Sequence, residues 1–302
     1  MTKIGALEAG GTKMVLGVYG DGDKLLDTKT IPTEKPETTI PEMIGYFKDA
    51  GIDALGIGSF GPLDLREGSP TYGSITTTPK LAWADRPLYE EFRRALRVPV
   101  GIDTDVNAAV LAEAKLGAAK GCGVAVYVTV GTGVGGGVWV NGKTVHGMLH
   151  PEVGHMLLRP VEGDPLPEGV CPYHKSCLEG LASGTAINKR LGRKANDLPD
   201  DHPVFVLEAK YLAQMCVNLI TTLSPERIVL GGGVMSRSAL FPMIREETLR
   251  LLGGYVRTRQ IRDEGDPLTA GKYIVPPVLQ PSSGLVGSYL LGLGALEESS
   301  RS

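Results

Sequence analysis

The residue types best suited to chemistry in this chain fall in one Cys/His segment, three glycine turns and one pair of aspartates. CPYHKSC at 171 to 177 sets Cys171, His174 and Cys177 at x2 spacings, and His155 stands sixteen residues before Cys171. Two thiolates and two imidazoles are the donor set of a tetrahedral Cys2His2 zinc site, and a closed four-ligand site is structural, with no open position for a reactive water. The competing reading is four unrelated side chains. HPEVGH at 150 to 155 is not the metalloprotease H-E-x-x-H, because its histidines are five apart and no Glu follows the first. A zinc here would shape a loop and fix Glu152 and His155. Cys122 and Cys216 lie in apolar contexts and read as buried thiols, while His146, His150 and His202 read as ordinary polar or packing residues.

EAGGTK at 8 to 13 is the first glycine turn. Gly10 and Gly11 let backbone N–H groups converge on an anion, Thr12 adds a hydroxyl and Lys13 a cation. The G-x-x-x-x-G-K-[ST] spacing is absent, and a hairpin turn also wants glycine for conformational reasons alone. VGTGVGGG at 130 to 137 holds more glycine than a turn requires, and LGGGVM at 230 to 235 ends a buried strand where a base or ribose could lie, or where the chain simply turns into a helix. A bound nucleotide is one explanation for all three. Phosphoryl transfer then needs a group that accepts the proton of the attacking hydroxyl. GIDTDVNAA at 101 to 109 offers Asp105 where a strand meets a helix, with Asp103 as competitor, although an Asp at that place also suits a helix cap.

The elements that must carry these residues alternate between strand and helix. Residues 4 to 19 read as strand, Gly-Gly-Thr turn and strand, and 124 to 140 repeat that hairpin with a Gly-Thr-Gly turn. Strands are expected at 54 to 62, 98 to 103 and 227 to 235, and helices at 38 to 50, 105 to 116 and 203 to 223. Two copies of a hairpin among mixed elements predict an α/β protein of two similar halves packed around a cleft. The length of 302 residues supports about two domains. Of 41 glycines, ten fall in the three glycine-rich stretches. A net charge of −3 recommends neither a nucleic-acid partner nor an anionic membrane. Residues 121 to 142 and 273 to 296 carry no charge, but the first alternates as a strand does and the second holds Pro276, Pro277 and Pro281, so neither reads as a membrane helix. With four sparse cysteines and no visible signal peptide, the expected compartment is the cytoplasm.

EAGGTK, GIGSFGP at 56 to 62, TDVNAA at 104 to 109, VGTGVGGG, HPEVGH, CPYHKSCLEGLASG at 171 to 184 and LGGGVM together resemble the ROK family of sugar kinases, in order and over nearly the whole chain. Within that family they look like the bacterial fructokinase branch. The resemblance implies two ribonuclease-H-like domains of the actin and hexokinase type around a central cleft. The first would span 1–118 with a C-terminal helix at about 286–302 returning to it, and the second 119–285 with a zinc loop at about 150–178. It implies transfer of the γ-phosphoryl group of ATP, with Mg2+, to the 6-hydroxyl of fructose, and usually a homodimer.

By the same resemblance Asp105 is the catalytic base. Gly10, Gly11, Thr12 and Lys13 form one phosphate loop and Gly131, Thr132 and Gly133 the other. Ala182, Gly184, Gly231, Gly232, Gly233 and Val234 lie on the adenosine side. Glu152, His155 and Glu179 hold the sugar, with Asn107, Gly61 and Pro62 nearby. His155, Cys171, His174 and Cys177 are the zinc ligands, and Glu8 stands on the magnesium side. Glu8 replaces the wider family's Asp, Thr104 its Asn and His174 one of its cysteines. These departures favour fructose over glucose or an N-acetyl sugar, with mannose and glucose as side substrates. A sugar-responsive repressor, the family's other class, needs a DNA-binding domain ahead of the first loop, and Glu8 leaves no room for one.

Overall fold

The apolar runs either side of the first glycine turn form β1 (Ile4–Ala9) and β2 (Lys13–Gly20), antiparallel with Ala9 opposite Met14 and Ile4 opposite Tyr19. The computed structural model describes residues 1–256 and 272–301. Residues 257–271 and Ser302, which fall within the expected domain ranges, lie outside the described residues. The chain divides into two units, one of Met1–Gly117, Lys143–Pro151 and the residues from Val278 onward, the other of Ala118–Gly142 and Glu152–Pro277.

In the first unit β3 (Lys24–Pro32), β4 (Ala54–Ser59) and β5 (Val100–Thr104) complete a sheet of order β3–β2–β1–β4–β5. The β3–β2–β1 part is antiparallel, and β1, β4 and β5 run parallel. Alternation along each strand gives the sheet two faces. Leu7, Leu55 and Ile57 pack with Phe47 of α1 (Pro36–Ala50) and Phe92 of α2 (Leu88–Leu96). α1 begins two residues earlier than the periodicity suggests because Pro36 occupies its first position, where a missing N–H costs nothing. β5 runs directly into α3 (Asp105–Lys115). The short β8 (Lys143–Thr144) also belongs to this unit.

The second unit repeats the hairpin and its parallel neighbours. β6 (Val124–Val130) and β7 (Val134–Val140) are antiparallel, and β9 (Arg227–Gly231) and β10 (Ile274–Val275) extend β6 in parallel. Gly135, Gly136 and Gly137 continue β7 rather than the turn, which is confined to residues 131 to 133. A Cβ on Gly136 would come within 2.8 Å of Val153, so packing and not a ligand requires glycine there. α4 (Leu178–Ala182), α5 (Gly184–Leu191), α6 (Pro203–Leu223) and α7 (Leu240–Leu252) complete the unit. α6 is long and apolar enough to cross a membrane by length and composition, but Phe205, Tyr211, Leu212, Met215 and Leu219 are buried and the helix lies against α4 and α7.

α8 (Ser283–Ser299) covers the second face of the first sheet, where Ile4, Ala6 and Ala54 meet its Leu285 and Tyr289. The uncharged stretch from 273 thus divides into β10 and this helix, which Ser282 caps by accepting the Leu285 amide at 3.1 Å. Helix and sheet approach at backbone distance. A Cβ on Gly56 would sit 1.7 Å from the Ser288 carbonyl, one on Gly101 2.4 Å from that of Leu291, and one on Gly287 1.8 Å from that of Ala108 in α3. Part of the glycine excess therefore serves this contact. Gly56→Ala should cost about 3 kcal/mol, at the upper end for overpacking, read as a lower urea midpoint at unchanged m. An unchanged midpoint would show that α8 does not press on β4.

Candidate active site

The β5–α3 junction fixes the two aspartates in different roles. The Thr104 hydroxyl caps α3 by accepting the Asn107 amide at 3.1 Å, so Asp105 is the first helical residue and not the cap. Asp103 is buried and fully engaged. Its Oδ1 accepts from the Thr104 amide at 2.7 Å, Asn107 Nδ2 at 2.8 Å and His146 Nε2 at 3.0 Å, and its Oδ2 accepts from the Thr144 hydroxyl at 3.0 Å. The Asp103 carboxylate raises the His146 pKa. Asp105, half-buried with its carboxyl group turned inward, accepts from the Val106 amide at 2.9 Å and from its own amide. Burial, assisted by the negative charge of Glu8, raises its pKa to about 6. A carboxylate that is ionised near neutrality yet still basic enough to take a proton is a candidate general base.

Asn107 is fully buried; its Nδ2 is held by Asp103 and its Oδ1 has no partner among the described residues. Glu8 lies on β1 on the α8 side of the sheet, its Oε2 accepting from the Ser282 hydroxyl at 2.6 Å. A hard cation takes carboxylate oxygen together with phosphate oxygens, and a carboxylate one residue from the start of the glycine turn fits that donor set. In the turn itself the Gly10 amide donates to the Lys13 carbonyl at 3.0 Å, while Gly11, Thr12 and Lys13 stand at the surface. Gly61 and Pro62 precede Leu63, whose amide donates to His150 Nε2 at 3.1 Å. Burial lowers the His150 pKa and keeps that nitrogen an acceptor. His150 therefore anchors the loop, and His146 orients Asp103. Sequence reading assigned neither role, because each partner lies far away along the chain.

In the second unit the turn of Gly131, Thr132 and Gly133 is tied to the start of α5. The Gly184 amide donates to the Gly131 carbonyl at 2.7 Å and the Thr185 hydroxyl to the Thr132 carbonyl at 2.7 Å. Glu179 reaches the same turn: its Oε2 accepts from the Val134 amide at 3.0 Å, and a Cβ on Gly133 would lie 2.4 Å from that oxygen. One carboxylate oxygen of the expected sugar-binding Glu179 is thus committed to the turn. A cavity of about 760 Å³ opens beside it, lined by Gly131, Thr132, Gly184, Thr185, Gly233 and Val234. Its far wall is Asn188, Asn196, Asp200, Phe205 and Arg237. Arg237 lies 4.0 Å above the Phe205 ring, donates to the Leu198 carbonyl at 3.1 Å and pairs with Asp200. This wall was not foreseen, because no local motif marks it.

Three of the expected adenosine-side residues do not line that cavity. Ala182 is fully buried on α4, a Cβ on Gly231 would collide with the Tyr127 hydroxyl, and Gly232, at φ +89, is pressed against the Val130 carbonyl. Gly184, Gly233 and Val234 do line the space.

His155, Cys171, His174 and Cys177 do come together, with all four donor atoms within 4.8 Å of one another. His155 Nδ1 lies 3.8 Å from Cys171 Sγ and 3.6 Å from Cys177 Sγ, and His174 Nδ1 lies 3.9 Å from Cys171 Sγ. Metal–sulfur and metal–nitrogen bonds of about 2.3 and 2.05 Å at tetrahedral angles separate S from N by roughly 3.6 Å. The cluster has the spacing of a tetrahedral metal centre. Since Nδ1 of His155 faces the thiols, its Nε2 is the nitrogen left for another partner. Glu152 is partly exposed and precedes the short 3-10 turn Val153–His155.

The first unit thus sets two carboxylates near a glycine turn, and the second sets a glycine turn beside a cavity of about 760 Å³. The ROK family profile matches residues 4–292, and the chain belongs to that family. It is 42% identical over 294 residues to the fructokinase of Pediococcus pentosaceus, covering 97% of this chain and 99% of that one. Identity is also 42%, over 299 residues and 96% of each chain, to the fructokinase of Zymomonas mobilis. The ROK hexokinase of Thermus thermophilus superposes with a TM-score of 0.74 at 29% identity, covering 98% of this chain and all of that one. The fold is accordingly that of the actin-like sugar kinases.

Proposed function

We propose that this chain is an ATP-dependent fructokinase that phosphorylates the 6-hydroxyl of fructose. The observation that carries the sugar is the 42% identity, over almost the entire length, to fructokinases. Asp105 takes the proton of the attacking hydroxyl, and its ionised form predominates at neutral pH. Gly10 to Lys13 and Gly131 to Gly133 hold phosphates through backbone N–H groups. Adenosine enters the cavity walled by Gly184, Gly233 and Val234, with the Arg237–Phe205 stack as the flat surface on which a base can lie. Mg2+ carried with ATP would supply charge neutralisation of the phosphates, and Glu8 would hold it. Glu152, the second oxygen of Glu179 and His155 Nε2 hold sugar hydroxyls, and Asn107, Gly61 and Pro62 are the first unit's candidates for the same ligand.

The metal we assign to the four-residue cluster is zinc. Two thiols with two imidazoles suit it in softness and geometry, and a closed set holds the loop that bears His155 without taking part in the chemistry. We place the enzyme in the cytoplasm, where thiols stay reduced, as a homodimer, the family's usual state.

Initial rates with ATP–Mg across fructose, mannose and glucose should give the highest kcat/KM with fructose. A preference for glucose would make the protein a broader hexokinase and overturn the assignment. Protein purified without added metal should contain about one zinc per chain; elemental analysis finding far less would remove the zinc.

A further inference from the structure

Lys80 lies across the first glycine turn. A Cβ on Gly11 would come within 3.3 Å of Lys80 Cε, and the ammonium is one C–N bond, about 1.5 Å, further out. The segment that carries Lys80 is firmly anchored. The buried Trp83 donates its indole N–H to the Glu34 carbonyl at 2.8 Å and its amide to the Lys80 carbonyl at 2.7 Å, and its ring meets Phe60 edge to face at 5.7 Å. The Lys80 amide donates to the Thr78 hydroxyl at 3.3 Å.

Against this fixed backbone Lys80 is half-buried, and its ammonium makes no hydrogen bond or ion pair among the described residues. The amides of Gly11 and Thr12 likewise donate to no protein group among the described residues. Lys80 also lines a cavity of about 530 Å³, with Lys35 on the same wall and Glu34 as its one acidic lining residue. Two unspent backbone donors beneath an unspent cation form a receptor for an oxyanion.

We propose that Lys80 is a phosphate-contacting residue of the kinase reaction, its ammonium meeting the phosphoryl group in transfer from above while the Gly11 and Thr12 amides meet it from below. The inference rests on the kinase reading. In the transfer the sugar oxygen forms its bond to the γ-phosphorus as the bond from that phosphorus to the β-bridging oxygen breaks. The hydroxyl proton passes to Asp105 and the electron pair leaves with ADP. Negative charge spreads over the three equatorial oxygens, where a cation acts most strongly.

The test is steady-state kinetics and nucleotide binding of Lys80→Met and Lys80→Arg beside the wild type. Lys80→Met should lower kcat/KM for ATP–Mg at least about tenfold, as expected for loss of one charge-assisted contact, while the fructose KM stays within about twofold. AMP, which lacks the β- and γ-phosphates, should bind both variants as it binds the wild type. Lys80→Arg, which keeps the charge, should recover most of the loss, a result that a packing role for the side chain would not give. The inference is overturned if Lys80→Met retains kcat/KM for ATP within twofold, if it weakens AMP as much as ATP, or if Lys80→Arg is as impaired as Lys80→Met. Wild-type turnover in the same assay separates this failure from failure of the kinase reading: an active wild type with an unaffected Lys80→Met variant removes only Lys80.

Discussion

The Thr104 hydroxyl, by accepting the Asn107 amide, starts α3 at one fixed residue, and the site in the first unit depends on that placement. Were Asp105 the cap, its carboxylate would be spent on the helix. With Thr104 in that role Asp105 becomes the first residue of α3, next to Glu8 and met by the adjoining backbone amides without a cationic partner. Asp103, two residues earlier, is buried under four hydrogen bonds and serves as a strut. The chemical difference between these carboxylates comes from their partners, since a well-donated carboxylate is a poor base and a desolvated one beside a like charge a better one.

The position of α3 depends in turn on α8. Glycines at 56, 101 and 287 remove the side chains that would hold helix and sheet apart, and the Ser288 hydroxyl spans the gap, donating to the Leu7 carbonyl and accepting from the Gly58 amide. The same face of β1 carries Glu8, which reaches Ser282 at the start of α8. Packing of the C-terminal helix and placement of the acidic group that tunes Asp105 are therefore one arrangement. In the second unit Glu179 plays a comparable part for the 131–133 turn, where absence of a Cβ at Gly133 lets the carboxylate close on the Val134 amide.

What could be read from the chain beforehand was what local pattern encodes. Both hairpins and the helix at 203–223 follow from strict alternation or helical spacing with clear stops, and the structure has them at those places. The Cys/His cluster was legible because its spacing already limits the geometry. Glycine was harder to interpret. Residues 135 to 137, grouped with the glycine-rich loop, are strand glycines that packing requires, and Gly231 and Gly232 read as ligand-facing but avoid Tyr127 and Val130, because sequence shows an absent side chain without showing what fills its place. Lys80, His146, Asp200 and Arg237 carry no local motif. Each gains its meaning from a residue brought to it by tertiary structure, such as Gly11 for Lys80 or Asp103 for His146.

The central claim is that Asp105, raised by burial and by Glu8, is the group whose ionisation permits phosphoryl transfer. The pH dependence of kcat/KM for fructose at saturating ATP–Mg measures it most directly, because that parameter reports the free site's essential ionisations. Since the base must be deprotonated, the profile should be level above a single ionisation near about 6 and fall tenfold per pH unit below it. A profile that stays level down to about pH 4.5, as an unperturbed carboxylate would give, would contradict the account.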